Sequence, residues 1–212
     1  MGKLASNFYL DLDTAEQFYN LPPDPSDNDL LCTVAEATEF ASVSARQSER
    51  EAIDAVLGEN TDHLSSSTRK VLAILRASMG DGVPPALSSD AWAICTNALR
   101  LLGALGAFAN ELDHPRAEWR TRRLEARIES GVDSEAIGLV AIDGVASGRA
   151  QKLINEGITT PDDVRAVGVS GLVDAGISRG VAETIDDRAS ALPRVSIEWP
   201  EIPDEIARGE TR

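Results

Sequence analysis

The chain has 212 residues, enough for one large domain or two small ones, and 35 acidic against 20 basic side chains give it a net charge of −15. Cys32 and Cys95 are too few for a disulfide framework, and with His63 and His114 they show no metal-ligand spacing, so neither metal nor other cofactor is expected. Only Lys3, Lys70 and Lys152 are lysines, a balance suited to concentrated salt, so a halophilic source and a reducing cytoplasm are the expectation. General acidity opposes nucleic-acid binding. Where acid covers every surface, the informative signal becomes a local basic patch.

The opening Met1-Gly2-Lys3-Leu4-Ala5-Ser6 has no long apolar run and does not read as a signal peptide; it matches a myristoylation pattern only loosely. Leu4 to Asn20 is mixed. Pro22-Pro23-Asp24-Pro25 breaks the backbone, and Asp27 or Asn28 is predicted to cap a helix rich in alanine and leucine. Ser44 to Leu57 reads as a helix with a charged outer face, ended by Gly58. Ser65-Ser66-Ser67 opens another, which closes at Gly80-Asp81-Gly82, and Pro84-Pro85 excludes helix there.

Ser88, Ser89 and Asp90 are three candidate caps for the most apolar stretch, Ala91 to Ala109, within a helix predicted to reach Glu111. It has the length of a membrane span. Arg100 at its middle would cost about 2.5–3.5 kcal/mol on insertion scales, and a helix surrounded by others in a bundle explains the same composition, so no membrane partner is expected. After Asp113-His114-Pro115 a helix runs from Arg116 to Ser130, and Gly131 ends it.

That helix carries the one concentrated basic feature. Arg116, Arg120, Arg123 and Arg127 recur at i, i+4, i+7 and i+11, with Arg122 to one side, and Ala117, Thr121, Leu124 and Ile128 repeat the spacing one residue later. An apolar stripe therefore lies beside a basic one, which allows the helix to dock and show its arginines outward. Two readings fit the basic face: a solvated surface paired with Glu118, Glu125 and Glu129, or a track for phosphates.

Two glycine turns follow, Gly144-Val145-Ala146-Ser147-Gly148-Arg149-Ala150 and Gly176-Ile177-Ser178-Arg179-Gly180-Val181-Ala182, at the same internal offsets and each before a helical segment. One such motif would be an ordinary helix turn; the repeat favours a helix-hairpin-helix pair. Glycine permits the tight turn, and the amides opening the next helix can hold a phosphate without regard to base. The usual pattern has another glycine two residues after the first, and Ala146 and Ser178 stand there instead. Arg149, Lys152 and Arg179 are the main cations nearby. Isolated strand signals are scarce until Arg194-Val195-Ser196-Ile197-Glu198-Trp199, so the predicted class is all-α.

The run from Leu124 to Val132, the segment Leu139-Val140-Ala141-Ile142 with the first hairpin, and Lys152-Leu153-Ile154-Asn155-Glu156-Gly157-Ile158 resemble the C-terminal part of archaeal Ski-type superfamily-two DNA helicases. The opening Gly2 to Leu10 resembles the start of the same module, often called the Sec-type domain, which recurs in a related spliceosomal helicase. The resemblance implies a multi-helix, ratchet-like bundle over residues 1–130, a helix-hairpin-helix domain over 131–190 and a short extended tail over 191–212. It also implies that Ala91 to Glu111 is a ratchet helix that stacks a base on an aromatic side chain, a contact worth roughly 1–3 kcal/mol. The family's basic and tryptophan pair falls near Trp92 and Leu99, and neither fits. A small shift in alignment gives Trp92 the stacking role, while a tryptophan on so apolar a helix is more often core.

The chain contains no GxxxxGK[ST] phosphate loop and no acidic helicase box, and no convergent catalytic group stands out, so it is not expected to be an enzyme by itself. The expectation is a non-catalytic module of a DNA helicase or repair protein, contacting single-stranded or forked DNA through Arg116, Arg120, Arg123, Arg127, Gly144, Ala146, Gly148, Arg149, Lys152, Gly176, Ser178, Arg179 and Gly180, with base stacking on Trp92. Helicase motor domains, in cis or in trans, are the other expected partner. The rival readings are a scaffold that docks on a motor or repair factor without touching DNA, and an excised C-terminal piece of an ATP-dependent helicase.

Overall fold

The computed structural model describes residues 9–58, 61–80, 82–133 and 136–192. Every regular element among them is a helix or a single 3-10 turn, so the chain is all-α. Among the described residues the chain divides into two compact units, one up to Glu129 and one from Ser130 to Leu192. The tail segment read as extended, Arg194 to Trp199, and the opening residues 2–8 lie outside the described residues.

The first unit begins with α1 (Leu12–Tyr19) in the stretch that reads as mixed; Asp11 caps it by accepting the Thr14 amide at 2.9 Å and the Thr14 hydroxyl at 2.7 Å. The cap of α2 (Asp27–Ala35) is Ser26 rather than Asp27 or Asn28. Ser26 accepts the Asp29 amide at 3.1 Å, and Asp29 accepts the Ser26 amide at 2.9 Å, a reciprocal capping box. Asp27 is thereby released from capping. The helix expected from Ser44 begins only at Arg50 (α3, Arg50–Leu57), because Gln47–Glu49 forms a 3-10 turn in which Glu49 accepts the Arg46 amide at 2.7 Å.

Ser65 caps α4 (Ser66–Ser78), as its sequence suggests, through the Thr68 amide at 3.1 Å. The proline stretch contains a 3-10 turn, Pro85–Leu87, where proline at the first position loses no hydrogen bond. It leads into α5 (Ser88–Glu111), whose N-cap is Leu87. None of Ser88, Ser89 and Asp90 caps that helix, since all three already lie inside it and the carboxylate of Asp90 is held elsewhere.

The holder of Asp90 is Lys70. Its ammonium lies at 2.5 Å from Asp90 and donates to both carboxylate oxygens of Glu49 at 2.9 Å and to the Ser44 carbonyl at 3.2 Å. The side chains of Lys70 and Glu49 are 1 % and 2 % exposed. Burial by itself lowers the lysine pKa, but the hydrogen bonds to Asp90 and Glu49 outweigh it and the net direction is upward. Burial likewise raises Glu49, and the bonds from Arg46 and Lys70 bring it below the ordinary glutamate range. Asp90 is lowered first of all by its bond to Lys70. One charge cluster thus joins the turn before α3 to α4 and α5.

The apolar side of α5 forms the centre of the unit. Ile94, Ala98, Leu101, Leu102, Leu105 and Phe108 are buried, and the Phe18 ring of α1 meets Phe108 edge-on at 5.9 Å. By length and hydropathy α5 is the one helix among the described residues that could cross a membrane, and its buried side is the side a bundle requires. Gly103 and Gly106 seat α6 (Pro115–Ser130): a Cβ at 106 would stand 3.0 Å from the Thr121 hydroxyl, and one at 103 would stand 3.1 Å from Glu125. Ala117, Thr121, Leu124 and Ile128 are the buried stripe of α6, as the spacing predicts.

The second unit contains a 3-10 turn (Leu139–Ala141), α7 (Ser147–Asn155), α8 (Pro161–Asp174, kinked where Gly168 takes φ +59°) and α9 (Arg179–Ala191). Leu139, Leu153, Val164, Leu172 and Ile185 are buried within it. Arg165 of α8 donates to the Ala189 carbonyl at 2.7 Å and the Leu192 carbonyl at 3.0 Å, which fixes the end of α9.

Two substitutions test this packing. Lys70→Met leaves Glu49 buried without its cation and should lower stability by roughly 3–5 kcal/mol in chemical denaturation. The depressed pKa values of Glu49 and Asp90 mean that their contribution is complete above the ordinary carboxylate range and is lost as pH falls through and below it, so Lys70→Met should flatten the acid limb of the stability profile. Gly106→Val forces Thr121 off its hydrogen bonds to the Ala117 and Glu118 carbonyls and should cost about 1–3 kcal/mol, despite valine's better helix propensity. A variant that melts with or above the wild type would show that α6 is not seated on this glycine.

Candidate nucleic-acid interface

The two glycine turns of the second unit have the same backbone construction. Gly144 and Gly176 take φ +98° and +80°, left-handed values that favour glycine. A Cβ on Gly144 would also meet the Arg188 guanidinium at 3.2 Å. Ala146 and Ser178, where the usual pattern has another glycine, are the N-caps of α7 and α9 in extended conformation, with φ −88° and −63°. Residues with a Cβ adopt that conformation without strain, so these turns do not require the missing glycines.

Neither N-cap contributes a side-chain hydrogen bond to its helix. The first intrahelical bonds come from the Arg149 and Ala150 amides to Ala146 and from the Val181 and Ala182 amides to Ser178. The amides of Ser147, Gly148, Arg179 and Gly180 precede them, at the positive ends of the two helix dipoles. Gly148 and Gly180 are exposed and have no atom within 4 Å of a notional Cβ, so their outer sides are open.

The fold brings the cations of one turn to the other. A pocket of about 260 Å³ is lined by Arg149 and Lys152 of α7, by Gly176, Ile177 and Ser178 of the second turn, and by Val181 of α9. Lys152 donates to the Gly176 carbonyl at 3.2 Å, and Arg149 donates to the Gly144 carbonyl at 2.7 Å. Both carbonyls are neutral acceptors, and among the described residues neither cation forms an ion pair with a carboxylate. Arg179, exposed at the first position of α9, also has no ion pair among the described residues. A cation at a helix N-terminus is disfavoured by the dipole, a cost that a bound anion would offset.

The arginines of α6 are arranged differently. The expectation that they face outward is corrected: Arg116 and Arg120 both reach Asp24, at 2.7 and 3.2 Å, while Arg123 and Arg127 both reach Asp27. The side chains of Arg123 and Arg127 are only 12 % exposed. The basic stripe lies one residue from the docked stripe and so falls at the border of the packed face, where the start of α2 presents its carboxylates. Of the glutamates expected as partners, Glu118 holds Arg122 at 2.5 Å. Asp24 and Asp27 were not legible as partners, since more than ninety residues separate them from the arginines; the proline frame around Asp24 is the only local sign of a fixed position.

Trp92 lies on α5 with 80 % of its surface exposed, outside the core where composition favours a tryptophan. It shares an exposed stripe with Ser89, Ala93, Thr96, Asn97 and Arg100, whereas Leu99 packs against the core. Arg100 is held by Glu39 at 2.7 Å.

These helices and turns have a counterpart among known proteins, for the family described as the Sec63 Brl domain matches residues 1–209. The chain belongs to the Sec63 Brl domain family. That domain is a helicase-associated C-terminal domain, and it is non-catalytic. No curated protein matches the sequence. Within this Sec63 Brl chain, an exposed Trp92 has little packing to lose: Trp92→Ala should change unfolding free energy by no more than about 0.5 kcal/mol. A large destabilisation in thermal melts would show that the indole is a structural contact.

Proposed function

We propose that this Sec63 Brl domain is the nucleic-acid-contacting, non-catalytic module of a DNA helicase or helicase-like repair protein, and that it holds single-stranded or forked DNA by its backbone. The observation that carries the reading is the pocket in the second unit, where Arg149 and Lys152 meet the turn that opens α9. Two cations without carboxylate partners and a helix N-terminus form an anion site that is indifferent to base identity. On a chain of net charge −15, such cations are the feature that an ordinary solvated surface leaves unexplained. The archaeal and halophilic assignment accords with the same charge balance and belongs to this reading.

A scaffold role is the second reading, supported by a different observation. Tyr9, Leu12 and Trp92 of the first unit are 91 %, 77 % and 80 % exposed, more apolar surface than backbone contact to DNA needs. In that case a helicase motor or repair factor, in the same chain or another, covers them. The tests separate the two. In a mobility-shift titration with single-stranded and forked DNA, Arg149→Gln/Lys152→Gln should weaken binding and reduce the salt slope by about 0.7 per lost contact on a single strand. Folded wild type that gives no shift at moderate salt supports the scaffold instead.

A further inference from the structure

The carboxylates on the arginine face of α6 stand where another anion could stand. Asp24 receives two guanidiniums, Arg116 and Arg120, and Asp27 receives two more, Arg123 and Arg127. Each of these two carboxylates thus bridges a pair of guanidiniums on one face of α6. The two halves differ. Asp27 is the first residue of α2, where the helix dipole favours an anion, and its arginines are nearly buried. Asp24 belongs to the exposed Pro22-Pro23-Asp24 segment before the buried Pro25; its side chain is 45 % exposed and those of Arg116 and Arg120 are 36 % and 23 % exposed.

We propose that α6 is a second binding site for the backbone of single-stranded DNA, held closed by Asp24 as an intramolecular stand-in for phosphate. A carboxylate and a phosphate offer the same paired anionic oxygens to a guanidinium fork, so one replaces the other without rebuilding the site. Exposed ion pairs are weak and are screened by salt, which makes Asp24 displaceable. The flanking prolines restrict the segment, so the carboxylate is held at high effective concentration and a strand must compete with it. Trp119 lies beside the same stripe, with the Arg123 guanidinium carbon over its ring at 4.9 Å from the centroid, which helps to hold the inner half in place. Asp27 keeps the inner half of the stripe ordered while the outer half exchanges anions.

The inference takes its ligand class from the function proposed above, and its test keeps the two apart. Fluorescence anisotropy of a labelled oligothymidylate, measured on the full chain across a salt series, should show Asp24→Asn binding about 3- to 10-fold tighter than wild type at low salt. Its log–log salt slope should steepen by about 0.7 for each guanidinium that comes to meet a phosphate on a single strand. Adding Arg116→Gln/Arg120→Gln to Asp24→Asn should return affinity and slope to the wild-type values. Asp24→Ala should reproduce the gain, with circular-dichroism melts confirming that each variant is folded. Folded Asp24→Asn and Asp24→Ala with wild-type affinity and slope would overturn the proposal, as would a gain that survives loss of both arginines. Should both Asp24 variants misfold, Asp24→Ser, judged by the same affinity and slope criteria, decides. Arg149→Gln/Lys152→Gln, run in parallel, reads the hairpin site alone; if it leaves wild-type binding intact the hairpin reading fails, while the Asp24 comparison still decides this one.

Discussion

The first unit depends on how it accommodates the charge of Lys70. An ammonium removed from water is tolerable only when its donors are met by oppositely charged or carbonyl oxygens, and here Glu49, Asp90 and Ser44 supply them. The consequences extend outward. Because Glu49 is held by both Lys70 and the Arg46 amide, the backbone before α3 is drawn into a 3-10 turn instead of an earlier helix start. Because Asp90 is held by Lys70, it sits inside α5 as a tether and not at its end as a cap. A buried ion cluster of this kind contributes little net stability compared with apolar packing, but it strongly penalises any arrangement that separates its members. It therefore fixes the register of the turn before α3, α4 and α5, while Phe18, Leu72, Leu102, Leu105 and Phe108 supply the apolar burial.

The same distinction, between a cation that meets a carboxylate and one that meets only a carbonyl, separates the two basic regions. On α6 the guanidiniums are largely neutralised by Asp24 and Asp27, so their number in the sequence overstates the field they offer to solvent. In the second unit Arg149 and Lys152 donate to backbone carbonyls of the glycine turns, which leaves their net charge in place. Arg149, Lys152 and Arg179 thus lack a carboxylate partner among the described residues, in contrast to the arginines of α6. The membership of the chain in the Sec63 Brl family sets this chemistry in a helicase-associated domain.

Local sequence rules were sound where the deciding contact is local. The glycine positions 58, 144 and 176 all carry positive φ, the apolar stripe of α6 is buried as its spacing requires, and Ser65 caps α4. The rules misplaced the ends of elements wherever a polar side chain had a choice of partners. Ser26 displaces Asp27 as a cap because it completes a box with Asp29, and Leu87 stands at the start of α5 because Asp90 is engaged by Lys70. Gly103 and Gly106, which read as interruptions in an apolar run, are the places where α6 approaches α5.

The sequence by itself determined the all-α class, the succession of helices from α2 to α6 and the repeated glycine turns, since periodicity, caps and left-handed glycines act within a few residues. It also identified which residues could bear a positive charge toward a ligand. Tertiary structure alone decided which of those charges are cancelled: Asp24 and Asp27 lie far along the chain from the arginines they meet, whereas Arg149 and Lys152 meet only carbonyls. It likewise turned Trp92 outward from the most apolar helix, since one side of α5 is buried in the core and Trp92 lies on the other. Charge pairing and burial are both set by through-space neighbours, and no spacing along the chain encodes them.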